Sequence, residues 1–358
     1  MFELNKKVKE LTPYDPITGS YRIRLDANES YITLPLEMKN EIAEAVSDIH
    51  FNRYPDPNAT AVCEGFANYF SLPQNCVTAG NGSDELISVI MNAFLQKGDS
   101  VMTLEKDFSM YAFYSSIVEC KHIAFQKSND YSIDVNEVIK QANEQNVRII
   151  IFSNPCNPTS KVLNRKEVKK LVTSVKSLVV LDEAYMDFSN QSLLKDFSSY
   201  DNLIILKTCS KAIGMAAIRL GFAVANKTLT DVLKSVKSPY NVNTVTQTIG
   251  EIVFSHPEYI DSSITRIIES RDGLYKRLCE IQEEFEGRIK LTSPDTNFVF
   301  VETAEAPEIF EYLKSVGIVV RLMGDKLRIT AGRNYENDAV CKEIENFLKG
   351  ETNEKSAN

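Results

Sequence analysis

The chain has no Cys-x-x-Cys pair, no purely apolar run approaching the ~20 residues that span a bilayer, no excess of positive charge and no internal repeat. Its seven cysteines, Cys63, Cys76, Cys120, Cys156, Cys209, Cys279 and Cys341, are odd in number and widely spread. That argues against a disulfide framework or a zinc cluster, so no metal site is expected, and it favours a reducing compartment. The opening MFELNKKVKE lacks the apolar core of a signal peptide, so the protein is expected to stay in the cytoplasm with no membrane attachment. A formal net charge of -9 disfavours a grip on nucleic acid, although a local basic pocket can still take a small phosphate ester.

What is present is an ordinary globular composition, 43% hydrophobic and 25% charged, in a chain of 358 residues that is long enough for two packed domains. The apolar runs VMTL (101–104), VRIIIF (147–152), LVVL (178–181) and NLIIL (202–206) alternate with helix-period segments, as buried parallel strands do. One helix is expected over 84–95, with Leu86, Val89, Ile90 and Ala93 on one face, and another after Asn164 as its N-cap. The expected fold class is α/β, with a doubly wound, mostly parallel sheet over residues 31–240. A long helix near 257–285, the strands NFVFVE, IVVR and KLRIT, and a last helix near 336–348 predict a smaller α+β domain over 241–358. Residues 1–30, with Pro13, Pro16 and Gly19, read as an extended N-terminal arm, and the tail GETNEKSAN is expected to fray.

Ligands of an open α/β sheet sit beyond the carboxyl ends of its strands, which directs attention to GNGSDE (80–85), SNPCNPT (153–159), LDEAY (181–185) and TCSKAIGMAAIRLG (208–221). Lys211 follows a strand and a turn, where partial desolvation beside other cations lowers an amine's pKa and makes it nucleophilic; taken alone, a lysine is a solvated surface residue. Arg219 tips that balance, because its guanidinium and the Thr208 and Ser210 hydroxyls together suit a phosphate dianion. Gly80, Gly82 and Ser83 lie immediately before the helix starting near Asp84, whose free N–H groups suit the same phosphate, or they simply join strand to helix. Asp182 can keep a pyridine nitrogen protonated, and equally can cap a helix or bind magnesium. Tyr185 and Asn157 can donate to the phenolic oxygen of such a ring, and Phe108 can cover its face or pack in the core.

The order of these parts, phosphate turn, ring cover, Asn, Asp-x-x-Tyr, Ser-Lys and Arg, resembles the fold-type I pyridoxal-phosphate aminotransferases over nearly the whole chain. Within them LTPY (11–14), LDANES (25–30), RYPDP (53–57), SPYNVN (238–243) and LRITAGRNYEN (327–337) are most similar to the histidinol-phosphate branch. The resemblance implies pyridoxal 5'-phosphate bound covalently to Lys211, with Lys211, Asp182 and Tyr185 as the catalytic set. It implies Tyr185 and Asn157 on the ring oxygen, and Thr208, Ser210, Arg219 and the Gly82-Ser83-Asp84 turn on the phosphate. It further implies a homodimer in which Tyr54 reaches the neighbouring subunit's phosphate, with Arg328, Arg321, Asn157 and an arm residue, Tyr14, around the substrate. The implied partners are small molecules, an amino donor and a 2-oxo acid.

Four features depart from the family pattern: Ser160 replaces a usual glycine, Ala217 stands where glycine is frequent, Phe108 where many relatives have tyrosine, and LMGDKL is a short link between Arg321 and Arg328. The rival functions are an aromatic or other aminotransferase, a threonine-phosphate decarboxylase on the same scaffold, and a noncatalytic coenzyme-binding regulator. No DNA-binding segment supports the last.

Overall fold

The predicted apolar runs lie side by side in the computed structural model, which describes residues 2–9, 11 and 16–350. In chain order the strands are β1 (Ile23–Leu25), β2 (Val77–Asn81), β3 (Ser100–Leu104), β4 (Lys121–Phe125), β5 (Ile149–Ser153), β6 (Leu178–Asp182), β7 (Leu203–Thr208), β8 (Leu220–Ala225), β9 (Lys290–Thr292), β10 (Phe298–Glu302), β11 (Ile318–Leu322) and β12 (Lys326–Thr330). A seven-stranded sheet has the order β2-β8-β7-β6-β5-β3-β4. Its neighbours from β7 through β4 pair in parallel, while β8 runs antiparallel to both β2 and β7.

Strands buried on both faces need apolar residues at every position, and β5 shows the division: Ile149 and Ile151 join one core with Val180, Ile204 and Leu206, while Ile150 and Phe152 join another with Val179 and Leu181. The helix Gly82–Phe94 covers the first of these cores. Its buried face is Leu86, Ile87, Ile90 and Met91, whereas Val89 and Ala93 of the expected face are only half-buried. The helix is also packed against Lys227–Val236 and Met110–Ile117, and the buried stripe keeps helical spacing but is rotated toward Ile87 and Met91 from the expected face. Asn164 caps the helix Arg165–Ser174 as expected, its side chain accepting from Glu167 N.

The second sheet, β1-β11-β12-β10-β9, packs against the helices Pro257–Glu284 and Asn334–Lys349 around Leu274, Leu278, Val299, Val319, Val340 and Ile344. Part of the N-terminal arm belongs to it: β1 pairs in parallel with β11, with Ile23 and Leu25 buried. Among the described residues no helix is long and apolar enough to cross a membrane.

Candidate active site

Because β8 reverses direction, its first residue lies at the same sheet edge as the last residues of β2, β5, β6 and β7. Arg219, just before β8, thereby stands at the same sheet edge as Gly82, Ser153, Asp182 and Thr208. A cavity of about 620 Å³ opens there, lined by Ser83, Asp84, Phe108, Asn157, Asp182, Tyr185, Thr208, Ser210, Lys211, Arg219, Arg321 and Arg328.

Lys211 is half-buried and donates to Ala27 O at 3.1 Å. Desolvation, with the nearby Arg328 and Arg219 charges, lowers its pKa to about 8, against the opposing pull of Glu29 and Asp84. An amine so placed is partly neutral near physiological pH and therefore a competent nucleophile. Asp182 is buried at the end of β6, and desolvation raises its pKa to about 6 although it accepts from Tyr111 Oη at 2.7 Å and Ala184 N at 3.0 Å. A carboxylate held this way gains from a cation placed beside it.

Tyr185 is buried, and its hydroxyl accepts from Asn28 Nδ2 at 2.8 Å, which leaves its own proton to donate. Burial raises its pKa and keeps it a phenol. Asn157 Oδ1 accepts from Arg328 Nη1 at 2.7 Å, so the amide of Asn157 is turned with its donor outward. Phe108 lines the cavity and meets Tyr111 edge-on, ring centroids 5.5 Å apart.

The groups around Arg219 are closely packed. Arg219 Nη1 donates to Ser210 Oγ at 3.2 Å, Thr208 Oγ1 accepts from Ser210 N at 3.1 Å, and Arg219 Nη2 lies 3.6 Å from Asp84. Gly82 has φ +80°, and a Cβ there would come within 2.7 Å of Arg219 Nη2. These groups surround the first turn of Gly82–Phe94, where N–H groups and the helix dipole favour an anion.

At the rim, Arg321 and Arg328 are directly opposed across the β11–β12 ladder. Like charges so placed repel, an arrangement that suits an anionic ligand. Arg328 is buried and also donates to Asp26 O at 2.7 Å. The short LMGDKL link closes as a hairpin, with Met323 N donating to Lys326 O at 2.9 Å and Gly324 at φ +67°. Ser160 has φ +60°, which accounts for glycine at that position in the family pattern. Its hydroxyl compensates by bonding Thr296 Oγ1 at 2.7 Å and accepting from Asp295 N at 3.0 Å.

One expected residue, Tyr54, lies away from this cavity. Tyr54 is 81% exposed and stacks on Tyr240, ring centroids 4.6 Å apart. Tyr14 lies outside the described residues. Three others went unrecognised in the sequence: Tyr111 on Asp182, Asn28 on Tyr185, and Asp107 beside Ser153. The only signal for them is nearness in sequence to Phe108 and to LDANES.

The site offers each handle that a phosphorylated pyridine aldehyde requires: an amine nucleophile, a buried carboxylate, hydroxyl and amide donors, an aromatic cover and an anion cradle. A sequence model of the family described as Aminotransferase class I and II matches residues 21–344. The chain belongs to this aminotransferase family. The aminotransferase is 41% identical to a curated histidinol-phosphate aminotransferase of Clostridium novyi, covering 97% of this chain and 96% of that one. It is 33% identical to that of Thermococcus gammatolerans, covering 98% of each chain. The solved histidinol-phosphate aminotransferase of Sinorhizobium meliloti in complex with pyridoxal-5'-phosphate is 19% identical, with a TM-score of 0.86 over 97% of this chain and 98% of that chain, a likeness of fold.

Proposed function

We propose that this aminotransferase transfers the amino group of histidinol phosphate to 2-oxoglutarate, giving imidazole acetol phosphate and glutamate in histidine biosynthesis, with pyridoxal 5'-phosphate as coenzyme. The observation that carries the reading is one cavity in which a lysine depressed to about 8 meets a buried Asp182 beneath two opposed arginines. The choice of substrate follows the curated relatives aligned along nearly the full chain.

When bound, the coenzyme supplies an electron sink for the charge left at the substrate's α-carbon. Lys211 would hold the coenzyme covalently and, once its amine is free, would be the base for the proton on the substrate's α-carbon. Asp182 would keep the pyridine nitrogen protonated, and Tyr111, whose burial keeps it a phenol, orients that carboxylate. Tyr185 and Asn157 would donate to the ring oxygen, Phe108 would cover the ring, and Ser83, Asp84, Thr208, Ser210 and Arg219, which line the same cavity, would hold the phosphate. Arg321 and Arg328 receive the substrate's anionic groups, a phosphate ester in one half-reaction and a dicarboxylate in the other, with Tyr14 closing over them.

The enzyme works as a cytoplasmic homodimer in which Tyr54 reaches the partner's coenzyme phosphate. Its exposure and its stacking on the exposed Tyr240 support an intersubunit face. Mixing inactive Tyr54→Ala and Lys211→Ala proteins tests this, because a shared site restores part of the activity. The substrate is tested by offering the purified enzyme histidinol phosphate, aromatic amino acids and threonine phosphate while 2-oxoglutarate consumption and carbon dioxide release are followed. Preference for phenylalanine, or carbon dioxide release from threonine phosphate, overturns the assignment.

A further inference from the structure

The mechanism above gives Asp107 no task, yet its carboxylate is where three donors converge. Phe108 N–H reaches Oδ1 at 2.7 Å, the Ser153 hydroxyl also bonds Oδ1, and Ser153 N–H reaches Oδ2 at 3.0 Å. Since Ser153 donates its hydroxyl proton to Asp107, the hydroxyl oxygen is left as an acceptor, and Asn157 N–H fills it at 3.0 Å. A continuous line of bonds therefore runs from the loop carrying Phe108, across the end of β5, to the backbone of Asn157. The side chain of Asn157 is held from the opposite direction by Arg328.

This geometry requires a carboxylate. An amide at position 107 must turn its NH2 group toward either the Ser153 N–H or the Phe108 N–H, setting donor against donor. The ionisable groups facing Asp107 are Lys127, Cys156, Tyr111 and Asp182. Lys127, whose Nζ lies 3.2 Å from Cys156 Sγ, supplies the positive charge that opposes the upward push of burial on Asp107.

We propose that Asp107, acting through Ser153, is a positioning residue that fixes Asn157 and Phe108 relative to each other and thereby aims Asn157 at the coenzyme's ring oxygen. The inference rests on the ring-oxygen role of Asn157 given under the proposed function. A donor at that oxygen favours its ionised form, so loosening the bond moves the coenzyme's visible titration to higher pH.

The test uses the holoenzyme and follows visible absorption against pH, with coenzyme affinity and thermal melting alongside. Ser153→Ala, which removes no charge, is expected to raise the titration midpoint by about one unit. Ser153→Thr retains the hydroxyl and is expected to stay at the native midpoint. Asn157→Ala gives the full shift, and adding Ser153→Ala to it gives no more, because the two act through one bond. A native midpoint in Ser153→Ala, or equal shifts in the Ala and Thr variants, overturns the positioning role while leaving the proposed function standing. No shift in Asn157→Ala removes the ring-oxygen assignment itself and the positioning role with it. Asp107→Asn is expected to weaken coenzyme affinity about tenfold through the donor conflict, and native affinity there also counts against the proposal.

Discussion

Asp182 and Arg328 line the same cavity but are held in different ways. The carboxylate at the floor is fixed within the large-sheet region, by Tyr111 of the helix Met110–Ile117 and by Ala184 N–H directly beyond its strand. The guanidinium at the rim stands on the second sheet and is fixed by Asn157, in the loop after β5 of the large sheet, and by the carbonyl of Asp26 near the N-terminus. A floor built within one sheet holds its chemistry constant, while a rim assembled from three separate stretches of chain can be retuned for a different substrate without disturbing the floor.

The strongest way to break that contrast is at Lys211, which stands between floor and rim. Lys211→Ala is expected to lower turnover about ten-thousandfold and abolish the visible absorption of bound coenzyme. Substantial remaining turnover would mean that the proton is moved by another group.

The floor is sharpened next by pH. Burial holds the proton of Asp182 up to about pH 6 instead of 3.8, so the folded apoprotein binds it more tightly than the unfolded chain. Ionisation then opposes folding, and on the order of 3 kcal/mol of stability is lost as pH rises from about 4 to about 6. Denaturant unfolding of the apoprotein is expected to show this decline, and Asp182→Asn to lack it. Parallel profiles for the two proteins would place the carboxylate in contact with water.

At the rim, Arg328→Lys keeps the charge but not the fork that joins Asn157 to Asp26. Steady-state kinetics are expected to give a fall of about 10- to 100-fold in kcat/KM for both half-reactions, with little change in melting temperature. A large stability loss would make Arg328 part of the rigid floor. The smallest effect belongs to Phe108→Ala, which removes the ring cover and is expected to weaken coenzyme affinity about two- to tenfold by equilibrium titration.

The floor was the more legible region in the sequence. Apolar runs marked β3, β5, β6 and β7 because buried parallel strands need continuous hydrophobicity, and the polar residues Ser153, Asp182 and Thr208 at the ends of β5, β6 and β7 line the cavity. KLRIT is β12 residue for residue, and the long helix begins at Pro257 as its position in the pattern required. The antiparallel course of β8 was not legible, since LGFAVA carries no mark of direction. Nor were the bonds from Asn28 to Tyr185 and from Tyr111 to Asp182, which join residues 157 and 71 positions apart. A polar side chain reveals its partner only when both are close in sequence or fall into a known order, and these do neither.

The pairing of β1 with β11 bears on how the protein can be handled. Removing residues through Leu25 would strip the outer strand from the second sheet, expose Val319 and its neighbours along an open edge, and offer that edge to other copies of the chain. Shortening the N-terminus past Arg22 is therefore a route to aggregation before it is a route to inactivity.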